Sequence, residues 1–472
     1  MKLPISFIES TRALMGDEEY QELSVALEQE PPASVRLNSK FPGLAACSSI
    51  SGRIPWAAEG YYLNQRLTFT FDPLFHAGCY YVQEASSMFV EQVLRRYVTT
   101  PVKMLDLCAA PGGKSTHARS VLPEGSLLVA NEVIRNRSQI LAENLTKWGY
   151  ADVVVTNNDP SDFSLIGSFF DVILTDVPCS GEGMFRKDPG AIEEWSPENV
   201  EICWQRQRRI ITDIWPCLKP GGILIYSTCT YNTREDEEKI TWIRQEFGAE
   251  PLPLAVPTEW NITGSLLVGA DAPVYRFLPH KTQGEGFFLA ALRKPEEDRE
   301  ADTDLFSPKK KKSKGDTAAS PVSKENLAIA KSWLASSDEY NLLVNGTAIT
   351  AFPVYYQNDL ALLRQSLRIV QAGTEVAEVK GKDLIPAHGL AMSRLLKTSV
   401  FSTEALTYEQ AIAYLRKEAI VLPPSVPKGY VLVTYKEIPL GFVKNIGNRA
   451  NNLYPQEWRI RSGYLPEEIR TL

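Results

Sequence analysis

Apolar, strand-like runs alternate with longer amphipathic segments between residues 101 and 294. The runs consist largely of Val, Ile and Leu, which is typical of strands covered on both faces. Regular alternation of strands and helices predicts an α/β fold with a doubly wound parallel sheet. The predicted strands are 103–108, 126–132, 153–159, 170–177, 222–228 and a last one at 286–293, and the predicted helices are 114–122, 135–148, 197–218 and 234–247.

Two local signals mark the boundaries of the later elements. Lys-Pro-Gly-Gly at 219–222 predicts a chain break before the fifth strand, because Pro and Gly interrupt regular structure. Asn232 or Thr233 is expected to cap the helix after that strand, with Glu235 or Asp236 in its first turn.

The loop between the first predicted strand and helix, 106–114, is built from small residues. Such residues let a ligand approach the backbone, and the helix N-terminus behind them offers free N–H groups to an anion. In a doubly wound sheet this loop lies at the carboxyl edge of the strands, where ligands bind. Gly113-Lys114-Ser115 invites comparison with the phosphate loop of nucleotide hydrolases, but that motif needs a glycine at the position of Cys108.

Acidic residues end the next two predicted strands. Glu132 is placed to accept hydrogen bonds from two ribose hydroxyls, as expected about 20 residues after such a loop. Asp159 is placed to accept one from an adenine amino group. Either residue alone is ordinary at the end of a strand. Together with the loop, they describe a ligand with an anionic end, a ribose and an adenine, which favours S-adenosylmethionine.

Cysteines follow the fourth and fifth predicted strands. Cys179 lies in Asp176-Val177-Pro178-Cys179-Ser180-Gly181, and Cys229 lies in Ser227-Thr228-Cys229-Thr230. A buried cysteine is usually a small apolar residue. In a parallel sheet, however, both cysteines lie on the carboxyl edge that carries the cofactor loop, which points to chemistry.

Methylation of cytosine at C5 is a reaction that needs a thiol beside the cofactor. C5 is too poor a nucleophile to take a methyl group until a thiolate adds to C6 and makes C5 enamine-like. Asp176 is suited to hydrogen-bond the exocyclic amine and protonated N3 of cytosine. The base must be unpaired or flipped out to be reached. The spacing does not choose between the two cysteines as nucleophile.

Three segments resemble the signature motifs of the RNA cytosine-C5 methyltransferases of the Nop2/Sun type: DLCAAPGGKS (106–115), DVPCSG (176–181) and YSTCTYN (226–232). The loop ends in Lys-Ser where Lys-Thr is commoner. The resemblance implies a Rossmann-like class I methyltransferase fold, with Cys229 as nucleophile and Cys179 assisting product release. It implies a cofactor site formed by Cys108, Ala109, Ala110, Pro111, Gly112, Gly113, Lys114, Glu132, Asp159 and Asp176.

The resemblance continues outside the catalytic segment. SVRLN (34–38) and YVQEASS (81–87) are similar to the N-terminal part of these enzymes, and 429–452 is similar to a PUA-like C-terminal module of bacterial 16S rRNA methyltransferases. We therefore expect an N-terminal α+β RNA-binding module at 1–95, the catalytic domain at 96–295, an intermediate α+β module at 324–402 and a PUA-like RNA-binding module at 403–472. Residues 296–323, with four lysines at 309–312, are expected to form a charged linker.

Residue composition bears on metal binding, membrane association and RNA binding. Seven widely spaced cysteines with no CxxC pair, and four isolated histidines, favour reduced thiols and no metal site. No apolar run approaches a membrane span, and the first residues do not resemble a signal peptide, so we expect a cytoplasmic monomer with no membrane partner. A net charge of -7 gives RNA binding no support by itself.

The expected substrate is 16S rRNA or the small ribosomal subunit. A tRNA substrate and a non-catalytic RNA-binding assembly factor are the alternatives, and two aligned thiols argue against the second. DNA is a further possibility, but DNA cytosine methyltransferases use the cysteine of the Pro-Cys motif as nucleophile. A Thr-Cys cysteine beside a retained Pro-Cys cysteine points to RNA.

Overall fold

The computed structural model describes residues 1–296 and 322–472, so nearly all of the predicted linker, including 309–312, lies outside the described residues. The N-terminal part consists of two helices, a four-stranded sheet of order β2-β3-β1-β4 with a short third helix between β3 and β4, and a fourth helix. Its elements are α1 (Ile5–Met15), α2 (Asp17–Leu27), β1 (Ser34–Leu37), β2 (Ile50–Arg53), β3 (Gly60–Leu63), α3 (Pro73–His76), β4 (Tyr80–Val82) and α4 (Val90–Tyr97).

The catalytic segment supplies most of a large central sheet. Its elements are β5 (Lys103–Asp106), α5 (Gly113–Val121), β6 (Leu127–Asn131), α6 (Arg135–Trp148), β7 (Val153–Thr156), β8 (Phe170–Asp176), α7 (Pro189–Glu194), α8 (Pro197–Ile214), β9 (Leu218–Thr228), α9 (Glu237–Phe247), β10 (Glu250–Pro251), β11 (Tyr275–Phe277) and β12 (Phe287–Arg293). Strands β7-β6-β5-β8-β9 are parallel neighbours in that order. The last strand, β12, joins β9 antiparallel. The predicted doubly wound α/β fold is confirmed.

Side-chain alternation along the strands creates a core on each face of this sheet. Successive residues of a strand point to opposite faces, and Met104 and Leu105 accordingly belong to two different buried clusters. The cluster around Met104 is covered by α4, α5 and α6, whereas α8 and α9 cover the cluster around Leu105. Both faces are buried, which explains the continuous apolar runs.

Two predicted boundaries were wrong. The segment 219–222 lies within β9, which begins at Leu218, but it is irregular: Leu218 pairs with Phe170 and Ile223 with Val172, so the residues between them bulge from the ladder, with Gly221 at a φ of 74°. The helix predicted from 234 begins at Glu237. The side chain of Asn232 accepts a hydrogen bond from the N–H of Glu235 (2.9 Å), so it closes a turn before the helix rather than capping it.

The segment after the linker contributes strands to two sheets, one of its own and the central sheet. Its elements are α10 (Lys324–Ser332), β13 (Tyr340–Asn345), β14 (Ala348–Pro353), α11 (Gln357–Ser366), β15 (Ile369–Ala372), β16 (Thr374–Lys380), β17 (Asp383–Pro386) and α12 (His388–Met392). Strand β15 adds antiparallel to β7 at the edge of the central sheet, and α11 packs on the same face as α8. This segment is therefore structurally continuous with the catalytic core.

The C-terminal part folds against the N-terminal part. Its elements are β18 (Ser402–Ala405), α13 (Tyr408–Leu415), β19 (Gly429–Tyr435), β20 (Ile438–Asn445) and β21 (Ala450–Asn452), which form a four-stranded sheet with one helix. One buried cluster contains both Val35 of β1 and Val431 of β19. The two ends of the chain thus share a core.

Within residues 1–296 and 322–472, no helix has both the length and the apolar character needed to cross a membrane. The same residues contain no group of three or more His, Cys, Asp or Glu side chains arranged to hold a metal ion.

Candidate active site

Cys179 and Cys229 meet at the carboxyl edge of the central sheet. Their Sγ atoms are 3.3 Å apart, and the backbone N–H of Cys229 points at Sγ of Cys179 (3.4 Å). The hydrogen bond with Cys229, together with burial, raises the pKa of the Cys179 thiol well above its ordinary value. The raised pKa favours the protonated Cys179 thiol, and either sulfur can be the donor in the contact between them.

Asp176, at the end of β8, lies beside the two thiols. One carboxylate oxygen accepts a hydrogen bond from Ser227 Oγ (2.8 Å) and the other from Lys114 Nζ (2.8 Å). Burial alone would lower the pKa of Lys114, but the charge of Asp176 outweighs it and the pKa is raised. Lys114, predicted only as part of the cofactor loop, thus places a fixed positive charge between that loop and the cysteines.

Asp106 ends β5 directly below the loop and is fully buried. Its Oδ2 accepts a hydrogen bond from Ser115 Oγ (2.6 Å), whereas its Oδ1 has no hydrogen-bond donor within the described part of the chain. Burial, reinforced by the nearby charge of Asp176, raises the pKa of Asp106 to about 7. The sequence analysis did not single out this carboxyl group, because an Asp at a strand end is common.

Side chains from α6 hold the cofactor loop 108–113 from outside. Arg137 donates to the carbonyl oxygen of Ala110 (2.8 Å), and Asn144 donates to that of Pro111 (2.7 Å). Gly112 has a φ of 116°, a left-handed conformation that an L side chain rarely adopts. The glycine is therefore needed for the turn that starts α5, and the loop is fixed in place before any ligand binds.

Glu132 and Asp159 both lie on the same edge, but each already has protein partners. Glu132 accepts from the backbone N–H of Ile134 (2.9 Å). Asp159 accepts from the N–H of Ser161 (3.1 Å) and from Arg209 (3.2 Å), and so caps the turn after β7. Each carboxylate keeps free lone pairs, since a carboxylate accepts about four hydrogen bonds.

A buried arginine from the N-terminal part reaches this region, and no motif argument identified it. Arg36 of β1 donates to Thr116 Oγ1 (2.6 Å) and to the carbonyl oxygen of Gly113 (3.4 Å), and it stacks on Trp148. It ties the N-terminal sheet to the first turn of α5. The signal available in the sequence was an arginine inside an otherwise apolar strand, SVRL.

Two further carboxylates lie under the cysteine loops and were likewise not predicted. Glu182 accepts hydrogen bonds from the segment that follows Cys229, and Glu235 accepts them from the N–H of Ser180, next to Cys179. Both are buried. Their partners include backbone N–H groups and side chains distant in sequence, such as Trp195 for Glu182 and Gln207 for Glu235, which sequence patterns do not reveal.

The residues at this edge fit S-adenosylmethionine by their chemistry. The first turn of α5 offers unpaired N–H groups to a carboxylate. Asp106 has an orphaned oxygen, and Glu132 and Asp176 add negative charge around the same loop, as a cationic sulfonium and ribose hydroxyls require. Such a cofactor would supply a methyl group bound to positively charged sulfur.

Comparison with known proteins gives a consistent result over three parts of the chain. Residues 99–293 match the family described as 16S rRNA methyltransferase RsmB/F. Residues 3–85 match the N-terminal domain of 16S rRNA methyltransferase RsmF, and residues 402–460 match the methyltransferase RsmF PUA domain.

Curated relatives match along most of their length. Ribosomal RNA small subunit methyltransferase F of Shigella boydii serotype 4 (strain Sb227) is 31% identical over 433 residues, which cover 87% of this chain and 85% of the relative. The protein of the same name from Escherichia coli O81 (strain ED1a) is 30% identical over the same shares.

Solved structures agree on the fold. A methyltransferase homolog protein from Pyrococcus horikoshii superposes with a TM-score of 0.53 and 29% identity, covering 61% of this chain and 94% of that one. NSun6 from the same organism, determined with SFG, gives a TM-score of 0.52 at 22% identity and covers 62% of this chain and 98% of that one.

Proposed function

The chain belongs to the ribosomal RNA small subunit methyltransferase F family of S-adenosylmethionine-dependent enzymes, and from that premise we propose that it methylates C5 of a cytosine in 16S rRNA. Under this proposal the reaction passes through a covalent bond between Cys229 and C6 of the base. The enzyme would act as a cytoplasmic monomer on the rRNA or on the small ribosomal subunit.

The single observation that carries the proposal is the contact between the two thiols. Their Sγ atoms lie 3.3 Å apart, beside Asp176 and the cofactor loop. Two cysteines with a purely structural role gain nothing from meeting at a ligand-binding edge. Addition of one thiolate to C6, with a second thiol at the same carbon–carbon bond, uses both.

The forward steps follow from the roles of the two sulfurs. The Cys229 thiolate adds to C6, so an S–C6 bond forms and the electrons of the C5–C6 double bond move into the ring toward N3. N3 takes a proton from solvent, and the Asp176 carboxylate accepts hydrogen bonds from N3–H and from the exocyclic amine. C5 then takes the methyl group, and the electrons of the broken S–CH3 bond stay on the sulfur of the methyl donor, which becomes a neutral thioether.

Release requires loss of the C5 proton and of the Cys229 sulfur. The hydrogen bond and charge of Cys229 are two causes of the raised pKa of Cys179. Both causes disappear once Cys229 has become a thioether. Cys179 can then release its proton to solvent, and the resulting thiolate accepts the C5 proton. The C5–C6 double bond re-forms, the S–C6 bond breaks with its electrons on the Cys229 sulfur, and N3 returns its proton to solvent.

Lys114 and the remaining edge residues are assigned supporting roles. Lys114 holds Asp176 by its 2.8 Å hydrogen bond and carries a positive charge that a Cys229 thiolate faces. We propose that the cofactor is bound by the loop, by the strand-end acidic residues and by Asp176: Cys108, Ala109, Ala110, Pro111, Gly112, Gly113, Lys114, Glu132, Asp159 and Asp176.

The ends of the chain are proposed to bind RNA. The N-terminal part (1–95) and the PUA-like part (403–472) share one buried core, although some 300 residues of sequence separate them. A shared core fixes their relative position, so they can present one continuous surface to a folded RNA. The catalytic domain at 96–295 and the intermediate part at 324–402 would then orient that surface relative to the cysteines.

The experiment that tests the proposal is bisulfite sequencing of total RNA from cells with and without this gene. We expect one or more 5-methylcytosines to disappear from 16S rRNA in the deletion strain. The wild-type gene should restore them, and a gene carrying Cys229→Ala should not.

Other outcomes would redirect the assignment. Loss of a methylcytosine from tRNA would keep the chemistry and replace the substrate. Restoration by the Cys229→Ala gene would exclude Cys229 as the nucleophile. An unchanged methylation pattern would favour a non-catalytic assembly role.

A further inference from the structure

Glu182 lies in the short turn that follows the Cys179 loop, and its side chain is almost completely buried. One carboxylate oxygen, Oε2, accepts three hydrogen bonds: from Thr230 Oγ1 (2.7 Å), from the N–H of Tyr231 (2.7 Å) and from the N–H of Asn232 (2.9 Å). These donors belong to the three residues directly after Cys229.

The other oxygen of Glu182 completes the set. Oε1 accepts from Asn232 Nδ2 (3.0 Å) and from Trp195 Nε1 (2.9 Å). All five donors are neutral. An ionised acceptor makes such hydrogen bonds shorter and stronger than a neutral one does. The carboxylate is therefore a rigid anchor for the backbone that carries Cys229.

The residue next to Glu182 fixes Cys229 itself. The N–H of Gly183 donates to the carbonyl oxygen of Cys229 (2.9 Å). A side chain at Gly183 would lie 2.9 Å from that oxygen and 2.7 Å from the carbonyl oxygen of Gly286, so no larger residue fits. The turn at 182–183 thus forms hydrogen bonds with Cys229 and with the three residues after it.

We infer that Glu182 is a positioning residue for the attacking thiolate, an assignment that rests on the proposed function of Cys229. The carboxylate is buried and both of its oxygens accept hydrogen bonds from the protein, so it acts through Cys229. Its hydrogen bonds hold the Cys229 sulfur at a fixed distance from Cys179 and from the base. Misplacement of a reacting atom by about 1 Å can lower a rate by roughly 100-fold.

Trp195 connects this anchor to the N-terminal helices. Its ring contacts the ring of Phe7 in α1 edge-to-face, with centroids 5.5 Å apart, and its indole N–H binds Glu182. Both aromatic residues belong to one buried cluster with Tyr231, which follows Cys229. The N-terminal helices therefore support the nucleophile's loop from behind.

The test uses Glu182→Gln in the full-length protein. Glutamine keeps one acceptor oxygen for the three donors at Oε2, but its NH2 group would face the N–H groups of Trp195 and Asn232. We expect the single-turnover rate of methyl transfer to fall ~10–100-fold, as for other misplaced catalytic groups. The substrate would be small subunits prepared from the deletion strain. The Kd for S-adenosylmethionine should stay within about twofold, since Glu182 does not contact the cofactor loop.

Three further variants complete the test. Glu182→Ala should be slower than Glu182→Gln, because it removes both oxygens. Thr230→Val keeps the branched shape, removes one donor and should give a smaller loss, which allows a decision if Glu182→Gln does not fold. Asp72→Asn is the matched control, since Asp72 is equally buried and accepts hydrogen bonds from neutral donors, the N–H groups of Leu74 and Leu472 and the hydroxyl of Tyr80, in the core shared by the two ends of the chain. Its rate should stay near wild type.

Adduct formation separates this inference from the proposed function. A 5-fluorocytidine-substituted 16S rRNA transcript traps the covalent intermediate, because fluorine at C5 cannot leave as a proton does. Wild type should form a gel-stable adduct, Cys229→Ala none, and Glu182→Gln the same adduct more slowly. Full activity of Cys229→Ala would overturn the proposed function and the inference with it.

Two results would overturn the inference alone. One is a Glu182→Gln variant that forms the adduct at the wild-type rate while Cys229→Ala forms none. The other is a pH–rate profile of Glu182→Gln that loses one limb of the wild-type profile, because a positioning residue lowers the rate at every pH without changing the profile's shape.

Discussion

We predict that cofactor affinity depends on pH through Asp106, whose pKa is raised, and that this dependence is stronger for a cofactor with a positively charged sulfur. Burial and the neighbouring Asp176 bring the pKa of Asp106 to about 7, so this carboxyl group titrates across the physiological range. The sulfonium of S-adenosylmethionine is a cation and favours the ionised form of Asp106. S-adenosylhomocysteine has the same carboxylate and ammonium group but a neutral thioether, so it lacks the part of this preference that comes from the sulfonium.

The expected magnitude follows from linkage between binding and protonation. With a pKa of about 7, Asp106 is roughly 90% ionised at pH 8 and 10% ionised at pH 6. If S-adenosylmethionine binds only the ionised form, its Kd rises by about tenfold from pH 8 to pH 6. The Kd for S-adenosylhomocysteine should change much less, so the ratio of the two constants isolates the effect of the sulfonium.

Isothermal titration calorimetry of both ligands at pH 6, 7 and 8 measures the ratio directly. Asp106→Asn is the control variant, because an amide can still hydrogen-bond with Ser115 but carries no charge at any pH. Its ratio should be flat. A wild-type ratio equal at pH 6 and pH 8 would refute the argument. So would a tenfold dependence that survives in Asp106→Asn, since another group would then be responsible.

Three other substitutions test separate parts of the molecule. Cys179→Ala should still attack C6 but release poorly, so a gel-stable protein–RNA adduct should accumulate with unmodified substrate; a folded variant without an adduct would contradict the assigned role. Arg276→Met removes the cation that pairs with the buried Asp236 and Glu237, and should lower the free energy of unfolding in urea by about 3–5 kcal/mol; a loss below 1 kcal/mol would mean that this pair is not a structural support. Arg36→Met should lower the free energy of unfolding by about 2–4 kcal/mol and weaken cofactor binding severalfold, because the first turn of α5 loses its anchor. Unchanged cofactor affinity would show that Arg36 is not needed to hold the cofactor loop.

The sequence predicted those features that depend on periodicity and on strand ends. Continuous apolar runs placed all five parallel strands, because a strand buried on both faces has few other compositions. Residues at strand ends could be assigned to one edge, since parallel strands finish on the same side. For that reason the sequence predicts that Cys179, Cys229 and Asp176 lie together, and they do lie together.

Features that depend on tertiary partners were not predictable. The Lys-Pro-Gly-Gly segment suggests a break by local propensity, but pairing of Leu218 and Ile223 with β8 on either side of it makes the segment a bulge inside β9. Strand β15 joins the central sheet from a point some 200 residues beyond β7, and no local pattern encodes that pairing. Glu182 and Arg36 each bind both backbone and side-chain groups that lie elsewhere in the chain, so the partners follow from the tertiary fold and not from a local sequence pattern.

The charges around the site explain why the two cysteines need not be equivalent. Asp106, Glu132 and Asp176 give the cofactor loop a negative surrounding that suits a sulfonium and a protonated cytosine ring. A thiolate in the same place needs positive or hydrogen-bonding neighbours of its own. Lys114 provides the charge, and the raised pKa of Cys179 favours a neutral thiol beside it. The proposed mechanism therefore gives different roles to two sulfur atoms 3.3 Å apart. The Cys229 sulfur attacks C6, and Cys179 keeps its proton until that bond has formed.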